Sequence, residues 1–227
     1  MANKNITNVL VRYSIATVGL VFVAIGVALS IKSALGTAPI SCPPYVVALI
    51  GGLSVGGWTA AMHGLFILLQ VALLGKRFRL SYLMQIPAAF VFGFLTDAAI
   101  WAFDWIHITS YMSKFCLMLL SCIVTAFGIA IEVRSKAWML AGEQTCVVLS
   151  DVTKIKFSNV KIAFDCSLVV IAALISYIAF DNWSGNGINE AVIREGTLVS
   201  AVITGLIIKL FERPVDKIIG RTIDSHI

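Results

Sequence analysis

The sequence predicts an all-α membrane protein: six transmembrane helices plus two re-entrant broken segments, arranged as two inverted repeats of three spans each. Three observations carry this. The composition is very apolar, six apolar runs have membrane-crossing length, and the chain resembles itself at an offset of 102 residues. Of the 227 residues, 59% are hydrophobic and 13% charged. The mean hydropathy is +0.94. Soluble domains carry about a quarter charged residues, because a compact surface needs polar cover. The composition therefore excludes a soluble enzyme, a disordered chain and a disulfide-stapled secreted module. On a soluble chain the net charge of +5 would suggest nucleic acid. On a membrane chain it marks cytoplasmic loops.

A spanning helix needs roughly 20 apolar residues, since the hydrocarbon core is about 30 Å thick and a helix rises about 1.5 Å per residue. In chain order the runs are 10–31, 58–75, 81–105, 115–133, 159–180 and 196–212. The first is too long for a signal-peptide core, and no convincing cleavage site follows. Two further apolar stretches are short and interrupted. Leu35 to Ile50 contains Gly36, Pro39, Pro43 and Pro44, and Trp138 to Leu149 contains Gly142 and Glu143. Such lengths suit buried or re-entrant segments. No run alternates polar and apolar residues, which excludes a transmembrane barrel.

Loop charge sets the topology. With re-entrant broken segments and a cytoplasmic N-terminus, Lys4, Arg12, Lys76, Arg77, Arg79, Arg134, Lys136, Lys154, Lys156, Lys161, Lys209, Arg213, Lys217 and Arg221 are inside. Only Lys32, Lys114 and Arg194 are outside. If both broken segments span instead, the cluster Lys76/Arg77/Arg79 is translocated. Six spans are therefore favoured over eight, with both termini cytoplasmic.

The repeat sets the orientation of the halves. Ile25 to Ser33 aligns with Phe127 to Ser135 at an offset of 102, as do Leu53 with Ile155, Gly56 with Ser158 and His63 with Asp165. Gly36-Thr37 falls near Gly142-Glu143 after a small gap. Gly93…Asp97 aligns with Gly205…Lys209 at an offset of 112. Residues 1–110 form the first repeat, and residues 111–227 form the second with a short cytoplasmic tail. Three spans per half is an odd number, so the halves have opposite orientation. Inverted repeats with broken helices are a recurrent transporter plan, with the substrate site near the midplane.

Candidate binding residues cluster at the two tips. In the first, Gly36-Thr37-Ala38-Pro39 makes a turn, Pro39 or Pro43 suits a first helical position, and Thr37 or Ser41 supplies a cap. In the second, Gly142 makes the turn and Glu143-Gln144-Thr145 opens a helix toward Asp151. Helix N-termini offer free N–H groups to an anion or carbonyl oxygen. Glu143 is either a first-turn carboxylate stabilising its own helix or a protonatable ligand.

Ionisable groups at membrane depth are costly and often functional. His63 and Asp165 are repeat mates at similar depth. Against a functional role, Asp165 is four residues from Lys161, which allows a local ion pair, and His63 can hydrogen-bond a backbone carbonyl. Asp97 lies deep in the third run, where an ion pair with Lys209 would bury it. Glu132 is expected to pair with Arg134 at an interface, and Gln70 to bond between helices. The substrate-lining set is thus Gly36, Thr37, Ser41, His63, Gly142, Glu143, Thr145 and Asp165, with Glu143, Asp165 and Asp97 as coupling groups.

Other chemistry is absent. No phosphate-binding loop, dinucleotide fingerprint or zinc-protease spacing occurs. The five cysteines form no C-x-x-C pair, so free buried thiols are expected, with no metal and no cofactor. No nucleophile–base pair stands out, so no enzyme is expected. Gly51-Gly52 suits a tight external turn, and Trp101, Trp105 and Trp183 suit an external interface.

The segment Ser33-Ala34-Leu35-Gly36-Thr37-Ala38-Pro39, the pair Gly93…Asp97, the run Lys161 to Asp165 and the stretch Ile193 to Leu198 resemble the YczE/YyaS/YitT group of bacterial membrane proteins. The resemblance implies a cytoplasmic-membrane protein of five or six spans without an assigned activity. Gly36, Pro39, Gly142, Asp97, Asp165, Glu195 and Gly196 match the group's positions. Ser41-Cys42-Pro43-Pro44 departs from them, and the soluble C-terminal domain of the longer YitT-type proteins is not expected.

The expected function is a secondary transporter or channel-like permease for a small polar or anionic solute, with proton coupling through Glu143 or Asp165. The rival expectation is an accessory membrane protein, such as a substrate-capture subunit or scaffold of a larger complex. The partners expected are the lipid bilayer and a small solute, with room for a homo-oligomer and no nucleic acid.

Overall fold

The computed structural model describes residues 2–135, 137, 139–186 and 192–224. Among them the chain is helical: α1 (Ala2–Lys32), α2 (Cys42–Ile50), α3 (Val55–Leu74), α4 (Gln85–Ala102), α5 (Tyr111–Ser135), α6 (Ala141–Thr153), α7 (Phe157–Phe180) and α8 (Glu195–Asp224). Five helical stretches are long and apolar enough to cross a membrane: Leu10–Lys32, Val55–Arg77, Tyr82–Ala102, Tyr111–Ser135 and Phe157–Phe180. Their outward faces carry large apolar side chains, with Leu65, Phe94 and Ile178 all well exposed. In water such a surface would aggregate; against lipid it needs no cover.

The sixth run does form a helix, α8, but it is not among those five. Any 18-residue window on α8 takes in Lys209, Glu212 and at least one further charged residue, Glu195 or Arg213. Pro214 also lies inside it.

The two interrupted stretches form helices too short to span. A 3₁₀ turn, Pro39–Ser41, leads into α2, and Gly51 (φ 123°) and Gly52 (φ 94°) turn the chain into α3. α6 begins at Ala141, so Gly142 lies inside the helix and does not make the turn before it. The tips of the two segments meet: Ile40 packs directly on Gly142, where a Cβ would collide with its side chain.

Small residues set the closest helix approaches, as expected where apolar lipid removes any hydrophobic drive between helices. α1 and α5 are antiparallel and share the most extensive interface. A Cβ on Gly19 would lie 2.8 Å from the Gly128 carbonyl oxygen, and one on Gly128 would lie 2.7 Å from that of Gly19. Further along, Gly26 packs on Thr125 and on the Ser121 carbonyl. α3 and α4 cross the same way at Gly56 and Gly93.

Asp97 of α4 reaches across that crossing. Its Oδ2 accepts from Ser54 Oγ at 2.6 Å and its Oδ1 from the Gly56 amide at 2.9 Å. It therefore caps α3, and the Lys209 pairing expected from the sequence is replaced by this one. A carboxylate at a helix N-terminus satisfies orphan donors and complements the dipole.

Candidate functional site

The last turns of α1 and α5 repeat one hydrogen-bond pattern 102 residues apart. Ser33 Oγ donates to the Ser30 carbonyl at 2.6 Å, and Ser135 Oγ donates to the Glu132 carbonyl at 2.7 Å. Each serine then accepts an amide two residues on, Leu35 at 3.3 Å and Ala137 at 3.2 Å. The residues before the two short helices, Ala38 and Leu140, have near-identical extended backbones. α3 and α7 begin at Val55 and Phe157, again 102 apart. The offset therefore runs through the broken segments without the gap expected from the sequence. Ser30 corresponds to Glu132, Ser41 to Glu143, Thr59 to Lys161 and His63 to Asp165.

The first tip is held by neutral groups. Neither Thr37 nor Ser41 caps it. Ser30 Oγ accepts the Ala38 amide at 3.1 Å, and the Thr37 amide bonds the Val192 carbonyl at 2.9 Å. Gly36 has φ 103° and lies against Arg194 and Thr197 near the start of α8, where a Cβ has no room. Ser41 Oγ is buried without a hydrogen-bond partner.

The second tip is charged. Lys161 Nζ lies 2.7 Å from Asp165 Oδ1 and 3.7 Å from Glu143 Oε1, and all three side chains are buried. The Lys161–Asp165 pair is the i,i+4 pair expected from the sequence. Lys161 itself was placed among the cytoplasmic loop charges; it is 2% exposed and belongs to the cluster. Glu132 is a second correction. It is fully buried, its Cγ close to Gly19 of α1, while Arg134 pairs with Asp216 at 2.8 Å. The Glu132 carboxylate faces the Leu140 amide and feels the Glu143 charge. Neither its oxygens nor those of Glu143 make a hydrogen bond of ordinary geometry.

Neutral side chains brace this cluster. Gln70 and Gln85 exchange reciprocal amide bonds at 2.9 and 3.0 Å. Gln70 also donates to the Ala141 carbonyl at 3.1 Å and to Thr145 Oγ1 at 3.0 Å. Thr145 thereby serves α6 packing. His63 stays apart from the charges: it sits between the rings of Phe66 and Phe92, and neither ring nitrogen has a hydrogen-bond partner. A groove of about 490 Å³ runs beside α2, lined by Pro43, Pro44, Trp58, Met62, Phe66 and Leu168. Phe66 lines that groove and also lies beside Gly142.

Of the residues expected at the site, Glu143 and Asp165 come together, and Gly142 joins them through α6. Gly36, Thr37 and Ser41 form the opposing tip, His63 lies in the aromatic wall, and Asp97 is elsewhere. Glu132, Lys161 and Gln85 were missed. The offset of 102 already sets Glu132 opposite Ser30, and carried on without a gap it sets Glu143 opposite Ser41, so both carboxylates stand where the first half has serines.

Residues 10–213 match the model of a family of unknown function, DUF6198. The uncharacterized protein YyaS of Bacillus subtilis (strain 168) is 23% identical over 203 residues, covering 88% of this chain and 92% of that protein. No solved structure matches.

Proposed function

This chain belongs to the DUF6198 family, and we propose that it is a multi-pass permease for a small polar solute, built as two inverted repeats in the bacterial cytoplasmic membrane. The observation that carries this reading is the Glu143–Lys161–Asp165 cluster, buried where two broken segments meet. Irregular backbone inside a bilayer is tolerated where it is buried in protein or lines a cavity. Charges there are expensive to retain without a task.

Several features support the inverted arrangement. One offset of 102 relates α1, the first tip and α3 to α5, the second tip and α7. The related helices α1 and α5 run antiparallel, and their contacts are self-related: Gly19 on Gly128 corresponds, with the roles exchanged, to Gly26 on Ser121. The sixth span of this reading is α8, with Lys209 near its cytoplasmic end, where a long exposed side chain snorkels to the interface. Basic residues then favour cytoplasmic termini even with Lys161 removed from the count.

In this permease Glu143 and Asp165 share the single charge of Lys161. A proton arriving at one carboxylate releases the ammonium toward the other, and that exchange couples the tips to the proton gradient. Phe66 separates the cluster from the groove beside α2. The test uses proteoliposomes carrying a pH-sensitive dye in the lumen. A panel of amines, amino acids and sugars is added outside under an imposed pH gradient. The wild type moves at least one solute with proton flux, and Glu143→Gln loses the pH dependence. A Glu143→Gln protein that transports at the wild-type rate with unchanged pH dependence would overturn the coupling.

A further inference from the structure

The first half is an internal control for the second. At the end of α1, Ser30 caps the following amide with a neutral hydroxyl. At the corresponding place in α5 the same seat holds Glu132, whose carboxylate faces the corresponding amide of Leu140. A hydroxyl suffices for that structural task, so the carboxylate adds charge beyond what the turn needs. One helix later Ser41, whose buried hydroxyl caps nothing, is replaced by Glu143. The second tip therefore brings two buried carboxylates, Glu143 and Asp165, to the Lys161 ammonium, which is bonded to Asp165, and sets a third, Glu132, within reach of the Glu143 charge. That leaves two carboxylates without a hydrogen-bonded counter-charge, one of them, Glu132, wholly removed from solvent and unpartnered.

Uncompensated ions in a low-dielectric interior are strongly disfavoured. The groups around Glu132 do not relieve it. α6 presents Glu143, and α7 presents Lys161 and Asp165, already paired. α1 presents Gly19, with Arg12 nearer its start. α8 presents Asp216, held by Arg134 of α5 itself. On α4, which packs on α1, Asp97 is occupied by the α3 cap, and on α3 His63 lies among aromatic rings.

We propose that Glu132 and Glu143 form a buried two-carboxylate site that takes up monovalent positive charge, delivered as a proton or as an alkali cation. This rests on the permease reading only for its purpose; as a binding site it stands on the residues alone.

The experiment is thermal unfolding of the purified protein in detergent. One arm varies pH from 5 to 8 at fixed potassium, and the other titrates sodium or lithium chloride against choline chloride at fixed pH. Uptake by the folded state raises the midpoint by roughly 5 °C across the range. A rise with sodium or lithium at constant pH identifies the alkali ion; a rise with acid alone identifies the proton. Glu132→Gln abolishes the response. Glu132→Ser, which installs the hydroxyl of the first half, also abolishes it. On the wild type, a hydrophobic carbodiimide, which adds to protonated carboxyls, labels Glu132 or Glu143 faster at acid pH, and sodium or lithium slows it where the alkali ion is what binds. An unchanged response in both variants, or no response and no labelling, overturns the proposal. Cation binding without solute flux in proteoliposomes would sink the permease reading alone, and flux without cation binding would sink this one alone.

Discussion

The two broken segments share a backbone plan and differ in charge. Each follows a long helix whose closing serine bonds back three residues. Each starts from an extended residue, and each ends at the first turn of another long helix. The first is fastened by hydroxyls, a proline and the start of α8. The second is fastened through Gln70 and Thr145 and carries an ion cluster besides. The shared features are therefore what the fold requires of a short helix buried among longer ones. The differences are candidates for function, because they are not needed to make the turn.

The largest expected effect tests that division at Lys161 and its first-half counterpart, Thr59. Replacing Lys161 by Met leaves Asp165 and Glu143 buried with no ammonium, which costs about 3–5 kcal/mol. Thr59 donates Oγ1 to the Val55 carbonyl at 2.7 Å, and Thr59→Val costs about 1 kcal/mol. Thermal unfolding in detergent at pH 7 measures both. Equal losses would mean that charge at the second tip does no more than a hydroxyl at the first.

How much of this was legible beforehand follows from the same pair. Apolar runs made five of the six expected membrane-length helices legible, because length and composition are local properties. The i,i+4 spacing of Lys161 and Asp165 made their pairing legible, and Gln70 was expected to bond between helices. What stayed hidden was depth. Lys161 lies four residues into α7, at a place where loop and membrane compositions meet, so charge counting assigned it to the loop. Glu132 stands two residues from Arg134, and proximity in sequence suggested a pair. Helical geometry turns residues two apart to different faces, sending Arg134 to Asp216 and Glu132 toward α1. Asp97 was misplaced for a related reason: an acidic residue in an apolar run suggests a buried ion, whereas its partners are the orphan amides of another helix.

An intermediate effect separates the tips by backbone. Gly36 combines φ 103° with close neighbours, the Arg194 amide 2.8 Å from where a Cβ would lie. Gly36→Ala therefore costs about 2 kcal/mol or more. At Gly142 the backbone is helical and the obstruction is the terminal carbon of Ile40, a flexible side chain that can turn away. Gly142→Ala is expected to cost about 1 kcal/mol or less. Chemical or thermal unfolding of the two variants side by side gives the ordering. The reverse order would show that the meeting of the tips is the rigid point and the first turn the yielding one.

The smallest effect lies at the surface and reverses the comparison, since here the first half holds the ion pair. Lys32 Nζ lies 2.6 Å from Asp104 Oδ1. The hydrogen bond and charge of Lys32 hold the Asp104 carboxyl below its ordinary range. A carboxyl depressed in the folded state adds stability that is fully present above its unfolded value, about 3.9. That stability is lost as the pH falls through the lower folded value. Asp104 is open to solvent, so salt screens the pair. Asp104→Asn should therefore leave unfolding at pH 7 in 0.5 M salt unchanged and remove only a slight low-salt advantage of pH 7 over pH 3. A loss as large as that of Lys161→Met would mean that Lys32 is not solvated, and that the end of α1 is as closed as the cluster beside α6.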